Sequence, residues 1–233
     1  MRHVRGTVAL AAVGVLLAGC GAGHEGHDGR DRQGVPQALR AARAKVTAAG
    51  SARIEATTDT GDRLRTRSSG ALRWSGGVEG TLTVRVTGGE LAASTRALGG
   101  DPSQTRFLPD AYYTRMSERF ARLQDGRHWI RHTYDERSDL GPADCLKTLA
   151  AAGDTHRVGR ETVRGVRTTH YRGTAGKQRV DVWIDARDLL VRRTQQAGDF
   201  RSTVHYRDYG ARARAERPPG HDTVDLTDVR AEG

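Results

Sequence analysis

The spacing of apolar residues changes from a helical period to a strand period early in the chain. After Pro36, the residues Leu39, Ala42 and Val46 recur every three or four positions, and Gly50 ends the run. This spacing predicts an amphipathic helix that begins at Pro36, because a proline suits the first turn of a helix. Beyond Gly50 the apolar and polar positions alternate, which predicts β-strands.

The alternation predicts a meander of antiparallel strands in this first block. Pairs of glycines, Gly76-Gly77 and Gly88-Gly89, separate the runs and supply the turns. The predicted strands are residues 52–58, 63–74, 78–86 and 91–98. One side of each run is apolar and the other carries arginine and threonine, which is typical of a sheet with one solvated face.

The rest of the chain mixes short helices with a second block of strands. The helical pattern returns at residues 117–123 and 142–152. The remaining predicted strands are residues 111–114, 128–134, 167–172, 180–185, 190–195 and 201–209. Pro218, Pro219 and Gly220 then predict the end of the ordered region. The two blocks of strands are candidates for the two halves of one sheet.

The charge of the chain is strongly positive, at a formal +10 from 38 basic and 28 acidic residues. Only Lys45, Lys147 and Lys177 are lysines, and the arginines are spread along the predicted strands. A nucleic-acid-binding arm would cluster them, so this distribution argues against nucleic acid as a partner. Attraction to anionic lipid head groups is the use of this charge that we favour.

The N-terminus has the three-part layout of a secretory signal. A basic head at residues 1–5 and an apolar run at 8–17 lead into the quartet Leu17-Ala18-Gly19-Cys20. This quartet resembles the lipobox of bacterial lipoproteins. The resemblance implies that the signal, residues 1–19, is cut before Cys20, and that Cys20 receives a diacylglyceryl group. Two acyl chains suffice for stable anchoring, so we expect the protein on the extracytoplasmic face of the cell membrane.

The domain organisation follows from this start. We expect residues 20–34, which are glycine-rich and charged, to form a flexible tether behind the anchor. Residues 35–217 then form one domain, which is long enough to bury a proper core, and residues 218–233 form a polar tail.

The sequence contains none of the catalytic or cofactor motifs that we sought. It has no nucleophile elbow, zinc-protease motif, phosphate-binding loop or dinucleotide fingerprint, so we expect no enzyme activity, cofactor or metal site. With Cys20 acylated, Cys145 has no disulfide partner and is interpreted as a small buried hydrophobe. The strand histidines His128, His170 and His205 are interpreted as half-exposed sheet residues.

The last predicted hairpins also carry carboxylates beside an aromatic residue. Asp181 and Asp185 flank Trp183 on one strand face, where arginine neighbours favour surface ion pairs over acid–base chemistry. Trp183 itself is a candidate for an interface, a membrane contact or a covered edge.

Four segments in the last third of the chain resemble the LolA-like and LppX/LprG-like envelope lipoproteins. These segments are residues 163–171, 182–185, 190–193 and 206–210. One departure is Asp188, which stands where that family has a turn glycine and puts the tightness of the hairpin in question. The resemblance implies an α+β fold, an antiparallel β half-barrel wrapped on a few helices. It also implies that a lipid or acyl chain is held between the sheet and the helices.

The apolar strand faces supply the candidate lining of such a lipid cavity. The small residues Ala42 and Ala49 on the first helix leave room against a curved sheet, although a filled core is the alternative. The candidate lining residues are Leu72, Trp74, Leu82, Val84, Val182, Ile184, Val204 and Tyr206.

A second function remains open beside lipid carriage. RseB-like proteins share the half-barrel and regulate a membrane partner, so an envelope sensor or interaction module is the alternative. The arginine rows Arg63, Arg65, Arg67 and Arg73 are candidates for docking an acidic partner or anionic lipid. A solvated face that protects the sheet from aggregation is the simpler interpretation of these rows.

Overall fold

The computed structural model describes residues 29–134 and 141–229, with side chains from residue 34. Four helices lie within these ranges: α1 (Gly29–Ala49), α2 (Ala92–Gly99), α3 (Glu118–Leu123) and α4 (Pro142–Ala151). The first six strands are β1 (Ser51–Thr60), β2 (Arg65–Arg73), β3 (Glu79–Gly88), β4 (Ser103–Leu108), β5 (Ala111–Arg115) and β6 (Trp129–Thr133). The others are β7 (His156–Val163), β8 (Val166–Ala175), β9 (Gln178–Asp185), β10 (Leu190–Ala197), β11 (Phe200–Arg207) and β12 (Thr223–Asp225).

All twelve strands belong to one sheet in the order β12-β6-β5-β4-β3-β2-β1-β11-β10-β9-β8-β7. Neighbouring strands are antiparallel except that β12 runs parallel to β6. The two predicted blocks join where β1 pairs with β11, for example Ala56 with Val204. The prediction that the blocks are halves of one sheet is therefore confirmed, and the fold is the predicted α+β half-barrel.

The sheet curves around α1 and α4, which pack against each other and against strands near one end of it. Tyr171 of β8 belongs to the main core cluster and Phe107 of β4 packs against it, so strands far apart in the sheet order contact the same core. We call the side of the sheet that faces α1 and α4 the concave face, and the other side the convex face.

The main core lies between α1, α4 and the concave face. Leu39, Ala42 and Val46 on α1 are completely buried, as the helical spacing predicts, and so are Leu146 and Leu149 on α4. Full burial of such a leucine is worth about 2 kcal/mol. The helix Pro142–Ala151 confirms the helix predicted at residues 142–152 within one residue.

Two smaller apolar clusters hold the other end of the sheet. Met116, Phe120, Ile130 and Val224 form one cluster with α3 on the concave side. Leu108, Ala111, Tyr113 and Trp129 form the other on the convex side, beneath Ala215. The chain after β11 crosses this convex surface, since the carbonyls of Arg214 and Glu216 accept hydrogen bonds from Thr81 and Arg106.

Three predictions about elements are wrong. The first helix begins at Gly29, so Pro36 lies inside it rather than at its start. Residues 91–98 are mostly the helix α2, consistent with the helix-favouring alanines of that stretch. Order continues past Pro218 and Gly220 to residue 229, because Val224 in β12 is buried against β6.

The hairpin with Asp188 is tight although that residue is not glycine. Asp188 adopts the left-handed conformation at φ 62°, which aspartate tolerates better than most residues. The Asp185 carboxylate accepts hydrogen bonds from the backbone N–H groups of Arg187 and Leu189, each at 2.9 Å. Asp185 therefore stabilises the turn between β9 and β10, in which Asp188 takes the position of the family's glycine.

The predicted signal peptide, Cys20 and residues 21–28 of the predicted tether lie outside the described residues, and residues 29–34 of that tether belong to α1. Among the helices that are described, none combines the length and the apolar character needed to cross a membrane.

Candidate functional site: the concave face

The predicted cavity-lining residues lie on the concave face, and most of them are part of the main core. Six of the eight are buried there against α1 and α4: Leu72, Leu82, Val182, Ile184, Val204 and Tyr206. Trp74 is half-buried, and its indole N–H donates to the carbonyl of Val46 at 2.9 Å near the end of α1. Side chains of the helices thus occupy the space next to these six residues, and their role as cavity lining stays a prediction.

A row of small side chains continues the concave face beyond this core. Ala56 on β1 pairs with Ser68 on β2, and Ser68 pairs with Val84 on β3. All three are half-buried; Ala56 packs against the main core cluster, whereas Val84 does not belong to it. We call Ala56, Ser68 and Val84 the small-residue row. We call the concave surface over this row, which carries two apolar side chains and one hydroxyl, the floor.

An aromatic row lies on the same face, four residues along the strands from the small-residue row, because Phe107 pairs with Gly80 whereas Ser103 pairs with Val84. Phe107 on β4 stacks on Tyr112 on β5 with ring centroids 5.8 Å apart, and Tyr112 stacks on His132 on β6 at 4.4 Å. His132 is 4 % exposed, and neither of its ring nitrogens has a hydrogen-bond partner in the structure. Burial lowers the pKa of His132 to about 4, so the imidazole is neutral at pH 7.

The convex face holds a buried polar cluster around Trp183. The Trp183 ring stacks on His170 at 4.1 Å on one side, and the guanidinium of Arg192 lies 3.5 Å from its centroid. The Trp183 N–H donates to Glu161 at 2.9 Å. The His170 ring nitrogens lie 2.8 Å from a Glu161 oxygen and 2.6 Å from an Asp181 oxygen.

This arrangement corrects the interpretation of His170 as half-exposed and of Asp181 as a surface residue, and Asp185, interpreted like Asp181, is buried too. His170 and Asp181 are only 3 % and 4 % exposed, because Arg192 covers Trp183 and Arg172 donates to Asp181 at 2.7 Å. The hydrogen bond from Trp183 is the main reason that the pKa of Glu161 is lowered. Because the ring nitrogens and carboxylates bind one another, the cluster is suited to holding three strands together rather than to acid–base catalysis.

The remaining candidate residues are a cysteine and a histidine at separate places in the fold. Cys145 is buried on α4, as predicted for a small hydrophobe. His205 is half-buried on β11. No group of three or more His, Cys, Asp or Glu residues in the described ranges is arranged to hold a metal ion.

The predicted arginine rows separate into paired and exposed residues. Arg73 forms an ion pair with Glu79 and also donates to the Ser75 carbonyl. Arg63 lies before β2, whereas Arg65 and Arg67 are exposed on its convex side.

A pocket of about 400 Å³ lies away from the predicted lining residues. It opens beside β4 and the start of α3, where Gln104, Arg115 and Glu118 give it a polar wall. None of the eight predicted lining residues borders it. An acyl chain is poorly matched to such a wall, so the concave face is the better candidate site.

Comparison with known proteins places the chain among lipoproteins. No family model matches it. It is 44% identical over 216 residues to a Streptomyces coelicolor protein named "Putative lipoprotein SCO4650", covering 83% of this chain and 76% of that one. It is 35% identical over 245 residues to the "Uncharacterized 31.2 kDa protein in rplA-rplJ intergenic region" of Streptomyces griseus, covering 84% and 80%.

A solved structure supports the fold independently. The Mycobacterium tuberculosis lipoprotein LppX superposes with a TM-score of 0.52 at 11% identity, covering 79% of this chain and 99% of that one. This likeness concerns the fold, and it agrees with the half-barrel that the sequence segments imply. The chain therefore belongs to the family of the Streptomyces coelicolor lipoprotein SCO4650, with the LolA-like fold of LppX.

Proposed function

We propose that this lipoprotein is anchored through a diacylglyceryl group on Cys20 and binds a hydrophobic molecule, a lipid or an acyl chain, on its concave face. The anchor places it on the extracytoplasmic side of the cell membrane. Its role is to hold or carry this ligand, and it catalyses no reaction. The observation that carries the proposal is the half-buried small-residue row on the concave face, with the aromatic row further along the same face.

The shape and chemistry of this floor support an elongated apolar ligand. Binding sites for such ligands are concave and mostly apolar, with a few polar groups that fix orientation. Ala56, Ser68 and Val84 keep the floor low, so a chain can lie across β1, β2 and β3. Phe107 and Tyr112 add aromatic surface on the same face, four residues further along the strands. Each methylene removed from water there contributes about 0.8 kcal/mol.

Native mass spectrometry of residues 21–233, which include every described residue, tests the binding directly. We expect co-purified lipid adducts, and uptake of a fluorescent fatty acid after delipidation. Ser68→Trp fills the floor and is expected to reduce that uptake at least tenfold.

The neighbouring residue provides a matched control. Ser69→Trp adds the same side chain one position later, on the exposed convex side of β2, and is expected to leave uptake unchanged. Thermal unfolding of both variants checks that they remain folded. Absence of any adduct, or equal uptake by both tryptophan variants, would count against the concave face as the site.

The anchor is tested separately by metabolic labelling with an alkyne fatty acid. We expect label and membrane fractionation for the full chain and neither for Cys20→Ser. If Cys20→Ser still carries label and sediments with membranes, the proposed anchor is wrong. If the full chain carries no label but still binds the ligand, only the anchor is overturned and the concave face remains the site.

A further inference from the structure

The convex side of β2 and β3 carries two arginines that lie directly opposite each other. Arg67 on β2 pairs in register with Arg85 on β3, and both side chains are exposed. Side chains opposite each other on antiparallel strands have Cβ atoms about 5 Å apart, so like charges there destabilise the sheet. Arg65, two residues before Arg67, is exposed on the same side. We call Arg65, Arg67 and Arg85 the arginine patch.

No carboxylate of the described residues forms an ion pair with the arginine patch. Thr57 and Ser69 are the neighbours of Arg67 on β1 and along β2, and Thr83 precedes Arg85 on the same side of β3. Asp59 is in register with Arg65 but makes no ion pair with it. The positive charges of Arg67 and Arg85 therefore have no carboxylate opposite them, whereas Arg65 faces Asp59 without forming an ion pair.

A second pair of opposed arginines on the same face has its positive charge compensated by carboxylates. Arg53 on β1 lies directly opposite Arg207 on β11, in the same kind of register as Arg67 and Arg85. There, Asp208 forms ion pairs with both arginines, and Glu55 forms one with Arg207. The chain thus neutralises one opposed arginine pair and leaves the other uncompensated.

We infer that the arginine patch binds the anionic phospholipid head groups of the membrane that carries the anchor. This inference goes beyond binding of a ligand on the concave face, and it rests only on the anchor part of the proposed function. Gly29 comes nine positions after Cys20, so an anchored Cys20 holds the start of α1 within about 30 Å of the bilayer surface. A short tether gives a weak electrostatic contact a high effective concentration.

The physical basis is complementarity of charge at a surface. Basic residues near an anionic leaflet gain a favourable interaction that decays within a Debye length, about 8 Å at physiological ionic strength. The arginine patch binds phosphates through guanidinium groups, which match phosphate oxygens in geometry. The same contact relieves the repulsion between Arg67 and Arg85.

Vesicle co-sedimentation of residues 21–233 tests the inference without the anchor. The vesicles contain phosphatidylcholine alone, or phosphatidylcholine with about one third phosphatidylglycerol. We expect binding only to the anionic vesicles, and weakening of that binding with added salt. The double variant Arg67→Gln/Arg85→Gln is expected to weaken it about thirtyfold.

The matched control is Arg53→Gln/Arg207→Gln, which removes the same charge from the compensated pair on the same face. We expect this control to bind anionic vesicles within about threefold of the unmodified chain, since its arginines are already held by Asp208 and Glu55. Circular dichroism and thermal unfolding establish that both double variants are folded.

Three results would overturn the inference. Equal weakening in both double variants means that only net charge matters, and equal binding to neutral vesicles means that the contact is apolar. The third result is that the chain binds no vesicles but binds an acidic protein through Arg67 and Arg85. This result would assign the patch to a protein partner. Uptake of fluorescent fatty acid by Arg67→Gln/Arg85→Gln is expected to be normal, which separates this test from that of the concave face.

Discussion

The imidazole ring of His132 lies parallel to the ring of Tyr112, with 4.4 Å between the ring centroids and 2° between the planes. The stack places a titratable group inside the protein with no hydrogen-bond partner for either nitrogen. Desolvation therefore acts on His132 without compensation, and it lowers the pKa of the ring to about 4.

This pKa predicts a loss of stability in acid. The folded state disfavours the imidazolium, whereas the unfolded chain takes up the proton near pH 6.5, so unfolding becomes easier as the pH falls from 6.5 to 4. The expected contribution of His132 is a loss of about 3 kcal/mol below pH 4. His132→Phe keeps a ring on Tyr112 and is expected to remove this contribution. Urea unfolding of both proteins across this pH range measures the difference, and parallel curves would contradict the assignment.

The cluster around Trp183 is expected to dominate the stability of the β8–β9–β10 region. Asp181→Asn removes the buried carboxylate that lies 2.6 Å from His170 and accepts from Arg172, while Glu161 still contacts His170. Breaking a buried pair in this way costs about 3 kcal/mol. Asp199, in the exposed turn between β10 and β11, provides a control, and Asp199→Asn is expected to change stability by less than about 0.5 kcal/mol. Similar unfolding midpoints for the two variants would show that the cluster contributes little.

Close approach of the strands at Gly70 predicts intolerance of any side chain there. A Cβ atom at Gly70 would lie 2.1 Å from the Thr81 carbonyl oxygen, so backbone would have to move. Gly70→Ala is expected to cost about 3 kcal/mol in the free energy of unfolding. A Cβ at Gly159 on the edge strand β7 meets nothing within 4 Å, and Gly159→Ala is expected to be neutral or slightly stabilising. Equal effects of the two alanines in thermal unfolding would contradict this account.

The sequence predicted the central strands well because their two faces differ. Leu72 and Leu82 alternate with polar residues, and both are buried on the face that the pattern indicates. Strand β7 was missed because all but two of its eight residues are exposed, so no alternation marks it. Six of the eight candidate lining residues are buried together. The pattern that identifies an apolar face does not distinguish a filled core from a cavity, since both require apolar side chains.

The cluster around Trp183 could not be predicted for a different reason. His170, Asp181 and Trp183 come from two strands, and Glu161 and Arg192 come from two more, so their contacts depend on register across four strands. The alternation in the sequence predicts that Asp181 and Trp183 lie on the polar, solvent-facing side of their strand. They are buried because the apolar stem and guanidinium of Arg192 cover the indole ring.

The last prediction concerns the C-terminal segment, which His128 connects to the sheet. An Asp222 oxygen accepts a hydrogen bond from the His128 backbone N–H at 2.8 Å and lies 2.8 Å from Nδ1, while a Glu118 oxygen lies 3.1 Å from Nε2. The hydrogen bond with Asp222, followed by that with Glu118, raises the pKa of His128. A raised histidine pKa contributes stability that is present below about pH 6.5 and is lost as the pH rises through the folded-state value.

We therefore expect β12 to open more readily as the pH rises above 6.5. Its three residues pair with β6, so their amide protons report this opening. Hydrogen exchange, corrected for the intrinsic effect of pH on the exchange rate, is expected to show protection that falls between pH 6 and 8. His128→Gln keeps a neutral side chain at the same place and is expected to give a protection that does not change with pH. His156→Gln, at an exposed histidine of β7, serves as the control and is expected to behave as the unmodified chain. A pH-dependent protection that survives in His128→Gln would assign the effect to another group.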